Sequence, residues 1–434
     1  MHTVPHPTPA GEARPVSPRL LRAAPPPAPP FAGSGGGAPA RPSAPGRPPL
    51  GSGRTARLAF VAVTLALPPW TTEAGPTAPG PVPVEVFAEI DGAMPTGVAA
   101  TPDGRLFLTW PKWGDGAPFT LGELVDGRPR AWPSAEANAW DPAAPSAALL
   151  SVQSAVADAA GRLWALDTGA PGFQAPIQGA AKLVAYDLAS GEAVRTIPFG
   201  PEALLPTSYV NDLRIDLGAG PEGTIYITDS SLTGPGGIIV VDIASGTAIR
   251  RLSGHASTAP EPDFSMAFDG EPLQVRPAGA PPQPWRVASD GIALSADGKT
   301  LYWCALTSRR LYSAPTALLR DPGVGEVELA AAVRDLGPKP PSDGLAEDDR
   351  GRVYAGDLEG NAIHVRDPDG AWRLLARDPR MRWPDTLSVG PDGWLYVTAN
   401  QLDRQAGFHE GRDLRQPPYR VLRMKIDAGP VLRD

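Results

Sequence analysis

Between Tyr209 and Asp242 apolar and polar residues alternate with a period of two, interrupted by glycines. Asn211-Asp212 opens the run, Gly223 turns the chain, and Thr224-Ile225-Tyr226-Ile227 carries the alternation back. Gly237 to Asp242 forms a third segment that ends in the turn Ala244-Ser245-Gly246. Alternation at this period places every second side chain on one face of a sheet. The stretch therefore predicts an antiparallel meander of short strands rather than helix.

The pattern recurs along the chain. Gly-x-apolar-aromatic-apolar stands at Gly104, Gly161, Gly223, Gly351 and Gly393, and a copy with one extra residue stands at Gly298. Successive glycines lie 57, 62, 75, 53 and 42 residues apart. A fixed phrase with variable insertions is expected of small sheets arrayed around an axis, each burying its faces against its neighbours. Six phrases predict an all-β, six-bladed β-propeller of four-stranded antiparallel blades over residues 82–427. A strand at Val82 to Ile90 precedes the first phrase and one at Tyr419 to Ile426 follows the last. These termini are expected to share a blade and close the ring, which removes an exposed edge. The insertions 110–149 and 251–288, rich in Trp and Pro, read as ordered loops over one face. Helix is expected only at Pro315 to Arg320.

Composition sets apart the N-terminus. Fifteen of the first 50 residues are proline, and the remainder of residues 1–53 is chiefly Ala, Gly, Ser and Arg. Such a segment buries too little apolar surface to fold and reads as a disordered extension or a mis-assigned start. Arg54 and Arg57, the apolar run Leu58 to Leu67 and the small residues near Ala74 read as a signal peptide over 54–74. The run is too short to span a bilayer. Export to the periplasm or the outside is therefore expected. Residues 428–434 read as a short tail.

Residues 75–434 carry 32 basic against 45 acidic side chains, which argues against nucleic acid as a partner and suits a cationic ligand. One cysteine, Cys304, excludes an internal disulfide and reads as a buried, inert thiol. His255 and His364 read as structural. No phosphate loop, Cys pair, His-x-x-x-His or Gly-x-Ser-x-Gly elbow is present, and no sequence motif names a protein partner.

A polar residue precedes each phrase: Thr96, Gln153, Asp212, Asp290, Asp343 and Asp385. If the strands that carry them line a central channel, these six converge on one mouth. The four aspartates are the candidate catalytic residues. Each could instead cap local backbone amides, but like charges brought together require a cation, a counter-charge or a retained proton. Trp383 is the best candidate for an aromatic wall.

Several separated motifs resemble the Yellow / major royal jelly protein family. They include Leu163 to Gly169, Tyr209 to Leu213, Tyr226 to Ser230, Arg251 to His255, Asp290 to Ser295 and Thr307 to Tyr312, within a likeness that runs from about residue 82 to 427. The resemblance implies a secreted six-bladed propeller. Members of that family include proteins linked to dopachrome conversion, salivary binders of biogenic amines and nutritive proteins. The chain departs from insect members in lacking disulfide cysteines and Asn-x-Ser/Thr sites, and is similar to a bacterial-type member. The amine-binding members imply a small aromatic or amine-type ligand at the channel mouth, held at Thr386 and Asn400; Asn211 is expected to help orient it and Trp383 to wall it. Leu402 stands where that likeness calls for an aromatic residue.

Asn211-Asp212, Ser289-Asp290-Gly291 and Ser342-Asp343-Gly344 also resemble, more distantly, gluconolactonase-type propellers. That likeness implies an alternative, a metal-dependent lactone hydrolase with one divalent cation such as Ca²⁺ on Asn211, Asp290 and Asp343. The Glu expected of the first blade is replaced by Pro95-Thr96-Gly97.

Overall fold

The structure, a computed structural model, describes residues 80–434. The expected extension and signal peptide fall outside the described residues. Six four-stranded antiparallel sheets form a ring in which each first strand neighbours the first strands on either side, so these six strands line the central channel. In chain order the channel strands are Val98–Ala100, Val152–Ala157, Val210–Asp216, Ser289–Leu294, Leu345–Glu347 and Pro384–Val389, for blades 1 to 6. The protein is a six-bladed β-propeller.

Blade 6 is closed as expected. Its outermost strand is Glu85–Ile90, paired antiparallel with Tyr419–Lys425 from Glu85 opposite Arg423 to Ile90 opposite Tyr419. This closure covers the edge that either strand alone would expose.

The repeated phrase is a hairpin turn with its own polar lock. All six phrase glycines have positive φ, from 71° to 109°, a conformation in which a Cβ would clash. In blade 2 the Asp158 carboxylate accepts from the Ala160 and Arg162 amides (both 3.0 Å), from Arg162 Nε (2.7 Å) and from Trp164 Nε1 (2.8 Å). Blade 5 repeats the arrangement with Asp348, Arg352 and Tyr354. In these two blades the phrase therefore extends back to an aspartate three residues before the glycine. That carboxylate holds the turn while the aromatic ring enters the core.

Six apolar clusters fill the wedges between consecutive blades; Phe107, Leu163 and Val184 lie between blades 1 and 2, and Tyr226, Ile238 and Trp303 between blades 3 and 4. Truncating such a buried aromatic costs about 3–5 kcal/mol. Residues 110–149 are not loop throughout. They supply the two outer strands of blade 1, Leu121–Val125 and Arg128–Ala131, whose polar outer face hid them. The helix Thr316–Arg320 is present, and a second, Glu326–Ala332, follows it. Residues 267–284 form two small hairpins. Cys304 is buried, and His364 pairs with Asp357 at 3.2 Å.

Candidate functional site: an acidic cup walled by aromatic rings

Each channel strand except that of blade 1 and that of blade 5 shows a break in register just inside its start, between Val152 and Ser154, Val210 and Leu213, Ser289 and Ile292, and Pro384 and Leu387. A bulge of this kind re-aims successive side chains. The first bulged residue, Gln153, Asn211, Asp290 or Asp385, points into one mouth of the channel, here called the upper cup. Asp343 joins them from blade 5. The second bulged residue faces the other way. Asp212 and Thr386 occupy that position and line a separate cavity at the lower mouth. In blades 4 and 5 the residue after the aspartate is glycine. A Cβ on Gly291 would collide with the Asp343 carbonyl, and one on Gly344 with that of Asp385.

The expected set of four aspartates is thus corrected to three at the upper cup, with Asn211 in blade 3 where Asp212 was expected. The one-residue difference reverses the side chain. Thr386, expected to orient a ligand, instead lines the lower cavity and donates to Asp385 Oδ1 (3.2 Å).

Asn400 and Trp383 lie behind the cup rather than in its wall. Both are completely buried. Asn400 Nδ2 donates to Asp385 Oδ2 at 2.6 Å, and its Oδ1 accepts from the Leu402 amide at 3.1 Å. Trp383 Nε1 donates to Asp343 Oδ2 at 2.7 Å. Its φ of 56° lies in the left-handed region, a strain of about 1–3 kcal/mol for a bulky side chain. Trp285, 5.8 Å away, and Phe268, stacked at 5.4 Å, pack against its ring.

The wall comes mostly from residues that carried no sequence signal of a site. Trp113, Phe173, Tyr209, Trp285 and Phe408 surround a cavity of about 100 Å³, with Leu232, Val287, Leu306, Leu402 and Gln405 between them. Leu402 does reach the cup, and Phe408, six residues on, supplies an aromatic ring. Trp113 and Trp285 come from the two insertions, and Tyr209 stands two residues before Asn211. Polar links fix this wall: Trp113 Nε1 donates to Tyr209 Oη (2.7 Å), which donates to Gln153 Oε1 (2.8 Å). Opposite, Asn211 Nδ2 donates to Ser230 Oγ (2.9 Å), which lies 2.8 Å from the Ser289 carbonyl and 3.0 Å from Asp290 Oδ2. Thr96, expected to join the mouth from blade 1, is buried with its hydroxyl 3.3 Å from that of Thr109 and is not among the residues lining the cup.

Burial and mutual repulsion dominate the electrostatics. Burial pushes Asp290 well above the ordinary carboxylate range, and the nearby Asp343 adds to the rise. Asp385 is raised for the same two reasons, with Asn400 opposing. Asp343 is raised to about 6 by burial, against the hydrogen bond from Trp383. With both carboxyls ionised, Asp290 Oδ1 has no partner. A proton held between Asp290 and Asp343 supplies one. Burial and mutual repulsion therefore favour the protonated carboxyls in this aromatic-walled cavity.

The lower mouth is built differently. Arg214 of blade 3 reaches across the channel to blade 5, where its Nε meets Glu347 Oε2 at 2.8 Å and its Nη2 donates to the Leu345 carbonyl at 2.5 Å. Burial raises Asp212, and Arg214 opposes that rise. Pro430, Val431 and Leu432 line the cavity below, and Arg433 pairs with Asp216 at 2.8 Å.

Fold and cup together define a channel-mouth propeller with an acidic floor and an aromatic rim. Residues 150–432 match the family described as major royal jelly protein, and the chain belongs to that family. A curated relative, protein yellow of Drosophila subobscura, is 28% identical over 247 residues, covering 53% of this chain and 40% of that one. Protein yellow of Drosophila melanogaster is 27% identical over 248 residues, 53% of this chain and 42% of that one. The chain thus spans about two-fifths of the length of these relatives. A solved structure described as a calcium-binding protein, regucalcin, from Agrobacterium tumefaciens superposes with a TM-score of 0.46 at 16% identity, over 80% of this chain and 98% of that one. Among the described residues no helix is long and apolar enough to cross a membrane.

Proposed function

We propose that the protein is an exported binder of a small cationic aromatic molecule, with an amine seated on Asp290, Asp343 and Asp385 and its planar part held by the aromatic rim. One observation carries this reading: three buried carboxyls without a full counter-charge form the floor of a cavity walled by five aromatic rings. An ammonium group replaces the stored protons, ionises the carboxyls and gains from the ring faces. Neutral or anionic aromatics lack that exchange. The same proton-sharing pair is suited to moving a proton on an enolisable ligand, which is a tautomerase-type activity of the kind linked to dopachrome. Export rests on the apolar run Leu58 to Leu67 with its basic flank.

The test is isothermal calorimetry with phenethylamine, tyramine and the corresponding phenylacetic acids. Amines that bind and acids that do not, with binding weakened at least tenfold in Asp343→Asn, are the expected result. Equal binding of acids and amines would sink the reading.

A divalent cation on the same floor, serving lactone hydrolysis, is the alternative. It is favoured by Asp290 Oδ1, which lacks a donor, and by the oxygen-rich set of Asn211, Asp290 and Asp343. The fit is incomplete. No three His, Cys, Asp or Glu side chains are grouped as metal ligands among the described residues, and blade 1 offers Thr96 in place of Glu. We therefore derive no hydrolytic step through an ion. Elemental analysis with a melting scan in chelator and in Ca²⁺ decides it: one ion per chain and a melting point lowered by chelator would favour the cation.

A further inference from the structure

We propose that Gln153 is the specificity-determining donor of the upper cup, and that the ligand carries a hydrogen-bond-accepting oxygen at the end remote from its cationic centre. The inference rests on the amine reading above and names the ligand class more narrowly.

The orientation of Gln153 follows from a chain of obligatory donors. An indole N–H only donates, so at 2.7 Å Tyr209 Oη must accept from Trp113. The phenol proton is then committed elsewhere, and its partner is Gln153 Oε1 at 2.8 Å. Burial raises the Tyr209 pKa well above its ordinary value, so this proton is retained. Gln153 must therefore present its carbonyl to Tyr209 and turn its Nε2 away. Nε2 meets no acceptor among the described residues, is not among the enclosed polar atoms without a partner, and belongs to a residue of the cup wall.

Asn211 is fixed in the opposite sense. The Ser289 carbonyl takes the Ser230 hydroxyl proton, so Ser230 accepts from Asn211 Nδ2 and leaves Asn211 Oδ1 toward the cup. Two amides at equivalent bulge positions are thus locked oppositely, one as acceptor and one as donor. In a six-bladed ring blade 2 stands across the channel from blade 5. The Gln153 donor therefore faces the side that holds Asp343, flanked by Asp290 and Asp385 in blades 4 and 6. A ligand with its ammonium on the carboxyls points its far end at Gln153. An analogue that offers no acceptor there leaves a desolvated amide N–H unpaired, the kind of mismatch that polar sites reject strongly.

Three probes isolate this contact: phenethylamine, tyramine and 4-methoxyphenethylamine, whose ether oxygen accepts but cannot donate. The expected result is that the wild-type protein binds both oxygenated amines at least roughly tenfold more tightly than phenethylamine. In Gln153→Leu that ratio should fall to about one, with folding checked by melting temperature. Tyr209→Phe, which frees the amide to rotate, should reduce the ratio as well and serves if Gln153→Leu does not fold. Wild-type protein that binds all three amines equally would overturn this inference and leave the amine reading standing. Failure to bind any of them would overturn both. A preference that survives in both variants would also overturn the role given to Gln153.

Discussion

The two mouths of the channel use the same residue types to opposite ends. At the lower mouth Asp212 and Glu347 face Arg214, which spans from blade 3 to blade 5 and meets Glu347 at 2.8 Å. At the upper cup Asp290, Asp343 and Asp385 lie together, and the cation acting on Asp343 is Lys339, whose influence is weaker than that of burial. Lys339 Nζ donates to the Pro340 carbonyl at 3.0 Å. Charge at the lower mouth is therefore met in large part within the protein, by the Arg214–Glu347 pair. At the upper cup it is deferred, either to protons or to a ligand. A buried carboxylate becomes a candidate site where its counter-charge is missing, and the bulged strands decide which end each side chain joins.

The largest expected effect falls on the lower mouth, where the protein supplies a cation. Arg214→Met leaves Glu347 and Asp212 buried without their cation and should destabilise the fold by about 3–5 kcal/mol in urea unfolding. The double variant Arg214→Met/Glu347→Leu should recover most of that loss. A single variant as stable as the wild type would erase the contrast between the mouths.

At the deferred end the sign reverses. Asp343 has a folded-state pKa of about 6 against an ordinary value of 3.8. Its contribution to the empty protein is therefore fully favourable below about pH 4 and is lost as pH rises through 6. Asp343→Asn should stabilise the empty protein at pH 7.5 by about 1–3 kcal/mol and do little at pH 4. It should also weaken amine binding. Thermal melting at both pH values checks the first statement; destabilisation at pH 7.5 would contradict it.

Smaller effects sharpen the picture. Trp383→Phe removes the donor to Asp343 Oδ2, so the Asp343 pKa should climb further and the pH midpoint for amine binding should move up, as titration calorimetry across pH would show. Phe408→Leu keeps the apolar wall but removes a ring face, and should weaken aromatic amines about two- to fivefold. An unchanged midpoint in the first variant would mean that Trp383 serves packing alone.

The fold was legible because its signal repeats. Six glycines with positive φ and six following aromatic residues are imposed by one hairpin geometry, which copies itself at the level of single residues. The upper cup was legible in part. Asp290, Asp343 and Asp385 could be named because each stands at or just before the start of a channel strand, whereas Asp212 was misassigned because a bulge turns it over while its neighbour Asn211 takes the mouth. Thr386 follows the same rule. Asn400 and Trp383 do act on the site, but through Asp385 and Asp343. The rim could not be read. Trp113 and Trp285 lie on the two insertions and Phe408 on the connection between Trp394–Ala399 and Tyr419–Lys425, all without periodicity, and only the folded ring brings them over the channel.

The most direct test of the proton-storing cup is tyramine binding measured by calorimetry from pH 5 to 7.5, in pairs of buffers with different ionisation enthalpies. Besides Asp343, the groups that bear on the result are Asp290, Asp385 and Asp212, with Lys339, Cys304 and Tyr209 close by. The account predicts net proton release on binding at pH 6 and an affinity that rises with pH as the empty carboxyls lose their protons unaided. Binding without proton release, with an affinity flat or falling across that range, would contradict it.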